Sequence, residues 1–199
     1  MTARAYPDKA LWRVRLLAAR RALSAGERAE RARSLARSAL GLATTTGGPV
    51  CAYLPIGVEP GSIALLDALR DAGHEVLLPV VPAEPGALDW APFRGPDDLV
   101  PGPLGLRQPA APRCGVQAIG SARLVLVPAL AADRAGGRLG RGGGYYDRTL
   151  GLAAPGTPLV AVLNEEELFD AVPTEPHDCR VTGVLLTASG YTALAGNKR

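Results

Sequence analysis

Two arginines, four glycines, a pair of tyrosines and an aspartate fall within ten residues of this chain: Arg138, Leu139, Gly140, Arg141, Gly142, Gly143, Gly144, Tyr145, Tyr146 and Asp147. Glycine lets the backbone take φ > 0 and bring its N–H groups close to a ligand. Guanidinium forks suit phosphate oxygens, and the Asp147 carboxylate suits a divalent cation beside them. An apolar strand is predicted upstream at residues 123–128, and a helix downstream to about residue 152. Strand, glycine loop and helix together present an anion site at a helix N-terminus. The alternative is a plain flexible loop, which leaves the arginines, tyrosines and aspartate without a purpose.

A second set of cations lies near the start. Lys9 and Arg13 are four apart, hence on one helix face, and Arg20 follows near that face two turns on. Phosphate binding is one reading; spacing alone favours a solvated basic face. Glu59 follows the first predicted strand, at the carboxyl end where open α/β sheets place their ligands. Asp178, next to His177, sits in an irregular stretch before the last strand. Taken singly, each acid is an ordinary turn residue. Taken together, Asp147 and Asp178 suit Mg²⁺, which prefers few carboxylates plus phosphate and water. No G-x-x-x-x-G-K-[ST] and no G-x-G-x-x-G occurs, so standard nucleotide loops are excluded. With His74 and His177 the only histidines, a Ser/His/Asp triad or a His-rich metal site lacks material.

The elements that must position these groups follow from periodicity. Apolar residues at helical spacing predict a helix over 9–23, and Ser24 with Glu27 forms a capping box opening a second, over about 25–42. A connector is expected at 44–48. Strands are predicted at 50–54, 75–81, 123–128, 159–163 and about 181–186. Helices are predicted after Ser62 to about Ala72, after the glycines, and, short, over 165–169. The alternation predicts an α/β fold: a three-layer sandwich in one domain, a mostly parallel sheet with helices on both faces. Residues 1–43 form a basic helical arm and 50–190 the sheet core. The Pro/Gly-rich stretch 82–122 carries a short edge strand near Trp90 and otherwise winds over the surface, a length that often signals function.

Composition bounds the rest. The 199 residues are 47% hydrophobic and 21% charged, enough for a core without metals or disulfides. Residues 1–37 hold ten Lys/Arg against three Asp/Glu, whereas the whole chain nets only +3. Such an arm suits anionic ligands. Cys51, Cys114 and Cys179 show no metal spacing and imply a reduced, cytoplasmic protein. No membrane span or signal segment is expected.

Lys9-x-x-x-Arg13 followed by Arg20-Arg21-Ala22-Leu23-Ser24, then Tyr53-Leu54-Pro55-x-x-x-Glu59, then residues 127–133 running into the glycine loop, resemble the 5-formyltetrahydrofolate cyclo-ligase (methenyltetrahydrofolate synthetase) family. His177-Asp178 is similar to that family's C-terminal His-Asp pair. Ala129, Ala132, Pro55 and Ala188 depart from its pattern. The resemblance implies ATP-dependent closure of 5-formyltetrahydrofolate to 5,10-methenyltetrahydrofolate. It implies ATP phosphates on Lys9, Arg13 and residues 138–146, with Arg141 and Lys9 catalytic. The folate would meet Arg13, Leu54, Glu59 and residues 141–145, and Mg²⁺ would sit on Asp147 and Asp178. A monomer with ATP and folate as its partners is expected. A sugar-phosphate isomerase-like enzyme is the enzymatic alternative and would release no ADP. A nucleic-acid module using residues 1–37 is the other; it lacks interleaved aromatics for stacking and leaves Asp147 and Asp178 unexplained.

Overall fold

The computed structural model describes residues 8–194; the start of the basic arm before Asp8 and the last five residues lie outside them. Helix α1 (Lys9–Ala22) opens on Asp8, whose carboxylate accepts the Ala10 N–H. Helix α2 (Ala25–Thr46) opens on the predicted capping box of Ser24 and Glu27. It runs into the expected connector, with the Thr44 and Thr45 hydroxyls bonded back to Leu40 O and Gly41 O, and it stops at Gly47.

The chain then alternates. Strand β1 (Val50–Cys51), helix α3 (Ile63–Asp71), β2 (Val76–Val80) and β3 (Asp89–Pro92) lead to a hairpin of β4 (Leu99–Pro101) and β5 (Arg107–Pro109). Next come β6 (Leu124–Pro128), β7 (Ala131–Asp133), β8 (Arg138–Leu139), α4 (Tyr145–Thr149), β9 (Leu159–Leu163), β10 (Leu168–Phe169), β11 (Gly183–Leu186) and β12 (Gly190–Ala193). Seven strands form the main sheet in the order β12-β11-β9-β6-β1-β2-β3. The five inner strands are parallel, and both edges, β3 and β12, are antiparallel.

Side chains alternate across this sheet, as the strand period of two requires. Val50, Val76, Leu78, Leu124, Leu126, Val160 and Val162 face α2 and α3, meeting Leu35, Ala39, Leu66 and Leu69. Cys51, Leu77, Val125, Val127 and Leu159 face the other way, against Trp90, Ile119 and Leu150. Both faces are buried, which is why the inner strands read as unbroken apolar runs.

Three expectations need correction. The segment after the glycines is a five-residue α4 that tightens into a 3₁₀ turn over Leu150–Leu152, where Gly151 weakens α geometry. The predicted helix at 165–169 is a 3₁₀ turn (Glu165–Glu167) followed by β10, which pairs with β7. Strand β6 does not feed the glycine loop directly. β7, a tight turn and β8 intervene and build a second, three-stranded sheet with β10. That turn is held by Asp133 Oδ1, which accepts the N–H of Ala135 at 3.0 Å and of Gly137 at 2.8 Å. Helix α1 packs on this small sheet through Trp12, Leu16 and Leu17 against Leu130, Leu139, Val172 and Phe169. The arm is thereby fixed beside the loop. Among the described residues no helix is long and apolar enough to cross a membrane.

Candidate active site

Strand β1 has β2 on one side and β6 on the other, so the direction of winding reverses there. Open α/β sheets leave a crevice at the carboxyl ends of the strands at such a point. In this chain the crevice is a cavity of about 730 Å³. Its floor is Tyr53 and Leu54 after β1, Pro79 and Val81 at the end of β2, and Pro128 and Ala129 at the end of β6. Lys9 and Arg13 enter from α1, Glu59 from the loop after β1, and residues 138–147 from β8 through α4. Asp178 closes the C-terminal side. Apart from Arg20, every residue singled out for the site in the sequence therefore lines one cavity.

The cations on α1 are not a solvated stripe. Lys9 Nζ lies 2.8 Å from Glu175 Oε2 and 2.9 Å from Asp178 Oδ2. Arg13 Nε donates to Gly140 O at 3.0 Å. Arg20 is 1% exposed and pairs with Glu167 at 2.7 Å, while its Nη2 donates to Ala129 O at 2.6 Å. Acceptors placed between the three charges remove the repulsion that spacing alone suggested. Arg20 thus anchors the arm, and Lys9 and Arg13 reach the cavity.

The glycine loop wraps these groups closely. Gly142 has φ +103°, and a side chain there would stand 3.4 Å from the Arg13 guanidinium carbon. α4 is too short for its dipole to make the anion site expected at a helix N-terminus. Loop amides and arginines must carry that work. Arg141 Nε lies 3.2 Å from Glu59 Oε1, with Arg141 44% and Glu59 8% exposed. Burial pushes the Glu59 carboxyl above the usual range, against the Ile56 N–H bond and the Arg141 charge. Burial and the Glu59 charge hold the Tyr146 phenol far above the ordinary tyrosine range, so its O–H remains a donor.

The two metal-ligand candidates are both engaged. Asp147 Oδ1 accepts Arg138 Nη2 at 2.5 Å and the Cys179 N–H at 3.2 Å. Asp178 Oδ2 accepts Lys9 and the Glu175 N–H at 2.7 Å. Among the described residues neither carboxylate's other oxygen makes a hydrogen bond, and both residues line the cavity. That donor set fits a hard divalent ion completed by phosphate and water. Glu175, His177 and Asp178 bring ligand atoms within 4.8 Å of one another, and Asp147 is not in that group.

Sequence reasoning missed part of the wall. Tyr53 lines the cavity and is tied down by its hydroxyl, which donates to Pro60 O at 2.6 Å. Leu106, Arg107 and Gln108 come from the β4–β5 hairpin, inside the stretch expected only to wind over the surface. Glu175, which also lines the cavity, lies in the same irregular stretch as Asp178 and had no periodicity to mark it. Of the four departures from the family pattern, only Ala129 lines the cavity; Ala132 is a buried residue of β7 in the small sheet, packed with Ala161 and Leu163.

The family model described as 5-formyltetrahydrofolate cyclo-ligase matches residues 5–187. The chain belongs to the 5-formyltetrahydrofolate cyclo-ligase family. It is an enzyme of that family. It is 46% identical over 191 residues to a 5-formyltetrahydrofolate cyclo-ligase of Mycolicibacterium smegmatis, covering 94% of this chain and 97% of that one. It is 30% identical over 138 residues to the Escherichia coli K12 cyclo-ligase, covering 68% and 76%. The fold is shared with the 5,10-methenyltetrahydrofolate synthetase of Aquifex aeolicus (TM-score 0.73, 24% identity, 96% and 95% covered). It is shared also with that of Mycoplasma pneumoniae (TM-score 0.71, 19% identity, 89% and 97% covered).

Proposed function

We propose that this chain, acting as one cytoplasmic domain, uses ATP and Mg²⁺ to cyclise 5-formyltetrahydrofolate to 5,10-methenyltetrahydrofolate, releasing ADP and phosphate. What carries the reading is the single cavity that joins arm, glycine loop, Glu59 and both aspartates. At about 730 Å³ it lies in the upper part of the range for small-molecule sites, room for two ligands held against each other.

The formyl oxygen attacks the γ-phosphorus of ATP and ADP leaves, giving an iminium phosphate on N5. N10 adds to the same carbon, its proton is lost, the C–O bond breaks and phosphate departs. The first step needs a weak nucleophile held in line and spreading negative charge neutralised. Lys9, Arg13, Arg138 and the amides of residues 139–146 bind the ATP phosphates. Arg141 stands between them and Glu59, so one guanidinium faces both the phosphoryl group and the folate. Lys9 and Arg141 act as the catalytic cations. Arg13, Leu54, Glu59 and residues 141–145 hold the folate, with the Glu59 carboxylate accepting from its ring N–H groups. Asp147 and Asp178 would hold Mg²⁺, whose contribution is to neutralise charge on the transferring phosphoryl oxygens.

The mechanism is tested with substrate carrying ¹⁸O in the formyl oxygen. The label is expected in inorganic phosphate. Label left in water or in ADP rules out the phosphorylated intermediate.

A further inference from the structure

Arg148 does not line the cavity, yet it touches both segments that border it on one side. Its Nη2 donates to Gly143 O at 2.9 Å, and its Nε donates to Gly86 O at 3.1 Å. Its guanidinium carbon lies 5.3 Å from the centroid of the Tyr145 ring, within cation–π range. A side chain at Gly144, where φ is +66°, would meet Arg148 Nη1 at 2.8 Å. Two residues beyond Gly86, Leu88 donates its N–H to Thr149 Oγ1 at 2.8 Å, and Leu88 lines the cavity.

We infer that Arg148 is a positioning residue that pins the glycine loop from outside. Glycine loses more backbone freedom on ordering than any other residue, and α4 is too short to stiffen the loop. Arg13 grips the loop at Gly140 from the arm side. Arg148 grips it three residues on, at Gly143, and ties it to the 86–88 segment. A loop held at both ends presents its N–H groups without ordering them anew at each binding event, and preorganisation of that kind strengthens binding. The planar fork matters: one guanidinium reaches two carbonyls and a ring face at once, which a lysine ammonium does not. Arg148 is exposed and outside the core clusters, so its removal leaves the fold intact.

The inference rests on the cyclo-ligase reading only for what the loop binds, namely the phosphates of ATP. The test compares full-length wild type with R148A and R148K by amide hydrogen exchange at residues 140–146 and in β6 and β9. KM and kcat are measured for both substrates alongside. R148A is expected to raise loop exchange with β6 and β9 unchanged, and to raise KM for ATP roughly tenfold, about 1.4 kcal/mol, with a smaller change in kcat. R148K is expected to fall between R148A and wild type. Loop exchange equal to wild type in R148A overturns the proposal, as does an unchanged KM for ATP beside faster loop exchange. Equal acceleration in β6 and β9 marks a merely structural role and overturns it too. R148K equal to wild type overturns the role of the fork. If wild type itself forms no product, the cyclo-ligase reading fails, and loop exchange still decides on Arg148.

Discussion

Lys9 Nζ and Asp178 Oδ2 lie 2.9 Å apart across 169 residues of chain, joining the basic arm to the last irregular segment at the cavity wall. The pair replaces the free cation and free carboxylate that each residue suggests in isolation. Any ligand that takes Lys9 to a phosphate must loosen this contact, so the arm is the part of the site most directly coupled to substrate.

The pair has a definite pH window. Burial works against the Lys9 charge, but hydrogen bonds to Glu175 and Asp178 hold its pKa above 10.5. Burial likewise opposes the Asp178 charge, yet the Glu175 N–H and Lys9 keep its pKa below 3.8. Lys9's contribution is full below 10.5 and fades as pH rises past its higher folded value. Asp178's is full above 3.8 and fades as pH falls through its lower one. The stability difference between wild type and Lys9→Gln in urea should be flat from about pH 5 to 9 and shrink below pH 4. A slope through neutral pH would contradict the pairing.

Glu59 shows the opposite sign. Its folded pKa is raised above 4.5 by burial, so its charge costs stability once pH exceeds that value. Glu59→Gln should be more stable than wild type in urea at pH 7, with the gain disappearing toward pH 4. The same variant should raise KM for 5-formyltetrahydrofolate by roughly 10- to 100-fold, the range of a charged hydrogen bond, and leave KM for ATP near wild type. A rise in both would place Glu59 outside the folate contacts.

Arg20 and Glu167 are 1% and 3% exposed at their side chains and hold the arm to the sheet. Glu167 also accepts the Asn164 N–H and side-chain amide, so its loss strips several donors at once. Glu167→Ala should cost about 3–5 kcal/mol in urea unfolding, because it leaves a buried guanidinium without its partner. A loss below about 1 kcal/mol would show that Arg20 finds solvent.

Asp147 offers one oxygen to Arg138 and Cys179, and its other oxygen makes no hydrogen bond among the described residues. Asp147→Asn should move the midpoint of a Mg²⁺ titration of activity upward by about tenfold or more while the protein stays folded by circular dichroism. An unchanged midpoint would remove Asp147 from the metal ligands.

The inner sheet was legible in the sequence because strands buried on both faces are continuous apolar runs, as Leu159–Leu163 illustrates. The small sheet was not. β7, β8 and β10 are two or three residues long and carry no period to detect. β12 is an exposed edge strand whose pattern lacks apolar alternation. In the site, concentrated charge and glycine drew attention to residues 138–147, which line the cavity, whereas for Lys9 and Arg13 spacing alone favoured a solvated face and only the family resemblance put them at the site. Proximity in sequence said nothing of who neutralises whom: the pairing of Arg141 with Glu59 and the burial of Arg20 depend on how α1 packs on a sheet that the sequence did not announce.

The most direct measurement follows methenyltetrahydrofolate by absorbance when the full chain meets 5-formyltetrahydrofolate, with ATP and Mg²⁺ each present or omitted and ADP counted alongside. Product should form only with both, one ADP released per methenyl group, and Arg141→Ala should lose most of that rate while remaining folded. Folded wild-type protein that makes no product, or makes it without ATP, would contradict the assignment.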